Sequence, residues 1–128
     1  MAAKKILTNA EFQVMSILWN MPGQGGFTSD ILSRYDAPRP AYTTLATFLK
    51  ILVNKGFVKV KKTGSKLFFT PKVSKETYAN TFFAPTKSVF FDNDIEKVIA
   101  YFLEQENLTA QQAENIANIA RSRVSNAE

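Results

Sequence analysis

The chain contains neither cysteine nor histidine. The first absence excludes disulfides, thiolate nucleophiles and cysteine metal sites. The second removes the commonest general base and the commonest remaining metal ligand. Most hydrolytic and redox chemistries are thereby set aside, the chain reads as a non-enzyme, and no cofactor or metal is implied. Long apolar runs are missing too. No stretch approaches the ~20 residues of a membrane-spanning helix, and the opening MAAKKILTNAEF lacks the unbroken apolar segment of a secretory signal. No membrane insertion is expected, and the expected location is the cytoplasm. Acidic residues are scarce in one half only. Residues 1–72 hold eleven Lys or Arg against three acids, a net of +8, and residues 73–128 hold five against eight, a net of −3. Such segregation suits a chain that docks one half on a polyanion and uses the other half for a different task.

What is present is a core-forming composition, 45% hydrophobic over 128 residues, enough for one small core plus an appendage. Thr8 and Glu11 have capping-box spacing ahead of the apolar EFQVMSILW, which predicts a buried helix ending near Asn20. MPGQGG breaks it. Thr28 or Ser29 is expected to cap a short helix carrying Ile31 and Leu32, and Pro40 to open a third helix. In that third helix Leu45, Phe48, Leu49, Leu52 and Val53 form a core stripe and Gly56 the left-handed stop. FVKVKK and KLFFT, joined by Thr63-Gly64-Ser65, read as a hairpin. The fold class is therefore mainly α with a small β-hairpin wing: a winged helix-turn-helix over 1–72, followed by a helical region over 73–128. In the second region Ser74, Asp92 and Thr109 are the expected helix caps, and Pro85 is expected to break or kink the first helix. Each helix shows one apolar stripe: Tyr78 and Phe82; Ile95, Val98, Ile99 and Phe102; Ile116 and Ala120 with their neighbours. Their natural partner is another chain, giving a homodimer.

At 100° per residue Thr43, Thr47, Lys50 and Asn54 lie opposite the core stripe of the third helix. A helix laid in the major groove of DNA needs such a face: short donors and acceptors for base edges, flanked by cations for phosphates. Threonine adds a methyl that fits against the thymine C5-methyl. Tyr42 and Thr44 in the first turn, Arg39 before it, and Lys61, Lys62 and Lys66 in the hairpin are candidate backbone contacts, with Lys59 and Arg34 on weaker grounds. A solvated helix face and an edge strand guarded by lysine are the bland readings; charge segregation together with the wing favours DNA. Other apparent motifs carry little. GQGG is not followed by the rest of a phosphate loop, and Asn107-Leu108-Thr109 is a sequon without a transferase to meet. Asp92, Asp94 and Glu96 sit where a helix dipole favours acids.

The runs LTNAEFQVMSILW (7–19), YTTLATFLKILVNKGFVKV (42–60) and IAYFLEQENLT (99–109) together resemble the BlaI/MecI/CopY family of bacterial repressors, the penicillinase-repressor type. The resemblance implies a homodimer that binds an inverted-repeat operator in double-stranded DNA and blocks transcription. It also implies a release mechanism. The copper-responsive branch uses C-terminal cysteines, which this chain lacks. In the antibiotic-responsive branch a membrane-bound sensor protease triggers cleavage at an Asn-Phe bond, and the aligned pair here is Tyr101-Phe102, with asparagine replaced. Two further readings stand beside the repressor: a winged helix used as a protein-interaction module, and a ligand-sensing DNA-binding regulator.

Overall fold

A computed structural model describes residues 6–124 as six α-helices and one three-stranded antiparallel sheet. They divide into two compact units, Met1–Ala84 and Pro85–Glu128. In the first, α1 (Asn9–Asn20) opens on a complete capping box: the Glu11 amide donates to Thr8 Oγ1 at 3.2 Å and the Thr8 amide to Glu11 Oε1 at 3.1 Å. A 3-10 turn over Pro22–Gln24 follows, then the two-residue β1 (Gly26–Phe27), α2 (Thr28–Ser33) and α3 (Tyr42–Lys55). The hairpin is β2 (Val58–Thr63) and β3 (Lys66–Pro71), turned at Gly64, whose φ of 64° a side chain would resist. β3 is the central strand, paired with β2 through Lys61↔Phe68 and Val60↔Phe69 and with β1 through Phe27↔Phe68.

One core closes this unit. Leu45, Leu49 and Leu52 of α3 are fully buried against Val14, Met15 and Leu18 of α1, Ile31 of α2 and Phe57. α3 ends in a Schellman motif: the Phe57 amide donates to the Leu52 carbonyl at 3.0 Å and the Gly56 amide to Val53 at 3.1 Å, with Gly56 at φ 86°. Glu11 is a buried acid, 5% exposed, and its Oε1 also accepts from Lys55 Nζ at 2.7 Å. Burial pushes its carboxyl up, but the Lys55 ammonium and the Thr8 groups outweigh that and hold it below the usual carboxylate range.

Several sequence expectations are corrected. The first unit extends past Lys72. Trp19 Nε1 donates to the Val73 carbonyl at 3.0 Å, and the Leu7 amide donates to Tyr78 Oη at 3.0 Å. Tyr78, expected to face a partner, is 5% exposed inside this core, with Phe12, Trp19, Phe57 and Phe82 around its ring. Its apolar spacing fits either role, and the hydrogen bond its hydroxyl accepts from seventy residues away decides for the core. β1 had no signal in a two-residue run. Its neighbour Gly25 is more than a loop former, because a Cβ there would meet Thr70 Cγ2 at 2.7 Å. Pro40 lies outside α3, whose N-cap is Ala41. α2 is capped at Phe27, whose amide donates to the Asp30 carboxylate at 3.0 Å, so Thr28 and Ser29 are already helical.

α4 (Lys75–Phe91) begins with the Thr77 amide donating to Ser74 Oγ at 3.0 Å, and it continues through Pro85, where the two units divide. Pro85 has no amide hydrogen to offer the Thr81 carbonyl. In the second unit α5 (Ile95–Glu104) is capped by Asp94, not Asp92; Asp92 adopts a positive φ and pairs with Lys97 at 2.7 Å. α6 (Ala110–Ser122) has the expected Thr109–Gln112 capping box. Neither α5 nor α6 has a buried residue.

Candidate nucleic-acid interface

In the first unit both α3 and the wing carry exposed polar side chains. Fixing Leu45, Leu49 and Leu52 in the core turns Thr43, Thr47, Lys50 and Asn54 outward, and all four are exposed. Tyr42 and Thr44, in the first turn, are exposed as well. Thr47 Oγ1 donates its proton to the Thr43 carbonyl at 3.0 Å, the back-bond usual for threonine within a helix. Its outward groups are therefore a hydroxyl lone pair and a methyl, an acceptor with an apolar neighbour. The Thr43 hydroxyl, Lys50 and Asn54 add donors. Arg39 is exposed and its guanidinium donates to the Ser33 carbonyl at 3.3 Å, which holds it beside the end of α2.

The wing separates its lysines by face. Residues directly opposed in an antiparallel pair share a face, and successive residues alternate. The register Lys59↔Thr70, Lys61↔Phe68 and Thr63↔Lys66 puts Lys59, Lys61 and Lys66 on one face. Val58, Val60 and Lys62, opposed to Pro71, Phe69 and Leu67, are on the other. Lys61 and Lys62, adjacent in sequence, thus point to opposite sides of the ribbon. Lys66 Nζ sits 5.6 Å from the centre of the Phe27 ring, a cation–π contact that the short β1 makes possible. The wing lysines and Lys50 are exposed and have no carboxylate partner among the described residues. Of the acids in this unit, Glu11 is bonded to Lys55 and Asp30 to the Phe27 amide.

The expected partner-facing residues fall in two groups. Tyr78 is core and Phe82 stacks on it within the first unit at 6.5 Å. Ile95, Ile99 and Phe102 are exposed, Val98 and Ile116 half-buried, and Ala120 exposed, all within the second unit. Val89 and Phe90, which sequence reasoning left out, are more exposed than Ile95, Ile99 or Phe102, Phe90 at 74%. The Tyr101-Phe102 bond lies inside α5 with both rings exposed and 5.6 Å apart, and Tyr101 also packs on Phe91 at 5.5 Å. Among the described residues there is no cluster of metal-ligating side chains and no helix long and apolar enough to cross a membrane.

A three-helix core, a helix with a polar outer face and a lysine-bearing wing define a winged-helix regulator of transcription. The likeness extends to a solved structure, "The complex structure of hsRosR-SG (vng0258/RosR-SG)", at a TM-score of 0.51 and 14% identity, covering 98% of this chain and 99% of that one. The model of the family described as Penicillinase repressor matches residues 7–122, and the chain belongs to that family. No curated protein matches it.

Proposed function

We propose that two copies of this chain join through the second unit and repress transcription by binding an inverted-repeat operator, each laying α3 in the major groove and gripping flanking phosphates with its wing. The observation that carries this reading is the α3 face. Four polar side chains of complementary hydrogen-bonding type lie together, directly opposite three fully buried leucines, on a unit whose basic excess is not cancelled by neighbouring acids. Thr47, with its proton committed to Thr43, matches bases that offer a donor, the adenine or cytosine amino group, while its methyl suits an adjacent thymine. Dimerisation is supported by the apolar side chains of α5 and α6 that stay exposed, Ile95, Ile99, Phe102 and Ile119. Release requires an outside agent, since the chain has no thiol or imidazole to act as a switch. Cleavage of the Tyr101-Phe102 bond, triggered by a membrane sensor protease, serves this role: it severs α5 and separates the two heads.

Selection of bound fragments from genomic DNA, followed by footprinting, tests the proposal. Two protected half-sites related by a dyad and spaced by whole helical turns are expected. A featureless selection, or a single unrepeated site bound by one copy, would refute it. Mass spectrometry of the protein from induced cells tests the release step: an intact chain during full derepression rules cleavage out.

A further inference from the structure

Phosphate binding leaves part of this surface unexplained. Tyr42, Ala46 and Val53 of α3 line one side of an open gap of about 580 Å³, and Val60, Leu67 and Phe69 of the wing line the other. Phe69 belongs to the core, but Val60 is 41% and Leu67 47% exposed, so this apolar area is not consumed by folding. A wall made solely to hold phosphodiester oxygens offers amides, hydroxyls and cations. The polar groups that converge on the gap have one electrostatic character. Lys50 brings an ammonium group, Ser29 and Ser65 are among the lining residues, and no carboxylate is among the lining side chains; the Lys66 ammonium lies over the Phe27 ring, on the face of the wing opposite Val60 and Leu67. Apolar walls with a few convergent polar groups are the composition of a small-ligand site. Tyr42 and the apolar walls match an aromatic body, and Lys50 matches an anionic group upon it.

We propose that the gap between α3 and the wing binds a small aromatic carboxylate, with its ring on the apolar walls and its carboxylate paired with Lys50. Lys50 also belongs to the proposed DNA-binding surface, so acid and duplex exclude one another; this consequence rests on the DNA reading above, whereas the binding site does not. The head then carries a release route of its own, independent of any cut in the second unit.

The test is a titration of the ¹⁵N-labelled full chain with naphthalene-2-carboxylate, and with 2-naphthalenemethanol as the uncharged control, followed by amide shifts. Saturable shifts are expected at Ala46, Val53, Ser65 and Leu67, with the alcohol at least about tenfold weaker because it cannot replace a charge-assisted hydrogen bond. Leu67→Asp, at an exposed wing position, is expected to abolish the shifts while preserving the rest of the spectrum. Shifts confined to other surfaces, equal binding of the alcohol, or unchanged binding by Leu67→Asp would overturn the site. In a second arm the acid is added to a labelled duplex bound by the chain, and the apparent Kd is expected to rise in step with occupancy. An unchanged Kd at full occupancy would overturn the exclusion. A chain that binds no duplex at all would fail the DNA reading, and the ligand site would then stand or fall on the amide shifts.

Discussion

Among the described residues all sixteen buried hydrophobic ones, from Leu7 to Tyr78, belong to the first unit, whereas in the second Val89, Phe90, Ile95, Ile99, Phe102 and Ile119 are each exposed. The composition of the two is not what separates them, since α5 is as rich in apolar side chains as α3. The difference is closure. In the first unit three helices and a sheet surround one another, so each apolar stripe meets another. In the second, short helices present stripes that are covered only in part. Hydrophobic burial is worth roughly 25 cal/mol per Å², so the first unit is stabilised within one chain, and the second would gain its share only from the association proposed above. That division matches the charge: a basic head with its own core, and an acidic region whose apolar side chains stay exposed.

Cutting the chain is the strongest way to break this comparison. Truncation after Lys72 removes Val73 and Tyr78, with the hydrogen bonds to Trp19 and Leu7, from a core they complete. The loss of a large buried aromatic alone costs about 3–5 kcal/mol. A chain ending at Lys72 is therefore expected to lose its cooperative thermal transition by circular dichroism, and a chain ending at Ala84 to keep it and sediment as a monomer. Point substitutions sharpen the same contrast. Leu52→Ala is expected to destabilise the head by about 2–5 kcal/mol in urea at every protein concentration. Phe102→Ala should instead lower the melting temperature in a concentration-dependent way, because what it weakens is association.

Within the head, the α3 face and the wing are expected to separate. Thr47→Ala or Lys50→Ala should lower discrimination between selected and scrambled duplex by ~1–3 kcal/mol. Lys61→Ala should weaken both duplexes alike and reduce the salt slope by about 0.9 for a lost phosphate contact. Equal effects from all three would mean that the helix reads no bases. A further contrast is expected at the buried acid. Glu11→Gln keeps a side chain able to cap α1 but loses the charge beside Lys55, at a cost of about 1–3 kcal/mol at pH 7. The folded Glu11 carboxyl lies below its ordinary value of 4.5. Its contribution is therefore complete above that pH and is lost as pH falls through the lower, folded pKa. Urea titrations at pH 7 and in strong acid should show the wild-type advantage over Glu11→Gln shrinking at low pH.

Much of the head was legible because its signals are local and redundant. Thr8 with Glu11, the leucine stripe of α3, Gly56 and the Thr63-Gly64-Ser65 turn each specify a local geometry that the rest of the unit agrees with. The outward face of α3 followed from the inward one by the helical period alone. What was not legible depends on residues far apart in sequence. β1 is a strand solely because β3 lies beside it, and Tyr78 is core solely because Leu7 and Trp19 are there to receive it. Helix starts were misplaced by one or two residues at Phe27, Ala41 and Asp94, where several residues able to cap, or to sit in a first turn, stand side by side. The opposite orientations of Lys61 and Lys62 follow from strand alternation, yet which of them faces α3 is set by the register with Phe68 and Leu67.

The central claim is that the exposed face of α3, backed by the wing, recognises duplex DNA. The most direct measurement is a binding titration of the wild-type chain on a genome-selected duplex and on its scrambled counterpart across a salt series. Affinity for both should fall steeply with log salt, with a slope of about −0.9 per phosphate neutralised, and the selected duplex should remain tighter by roughly 10³ or more throughout. Binding insensitive to salt, or equal affinity for the two duplexes, would contradict it.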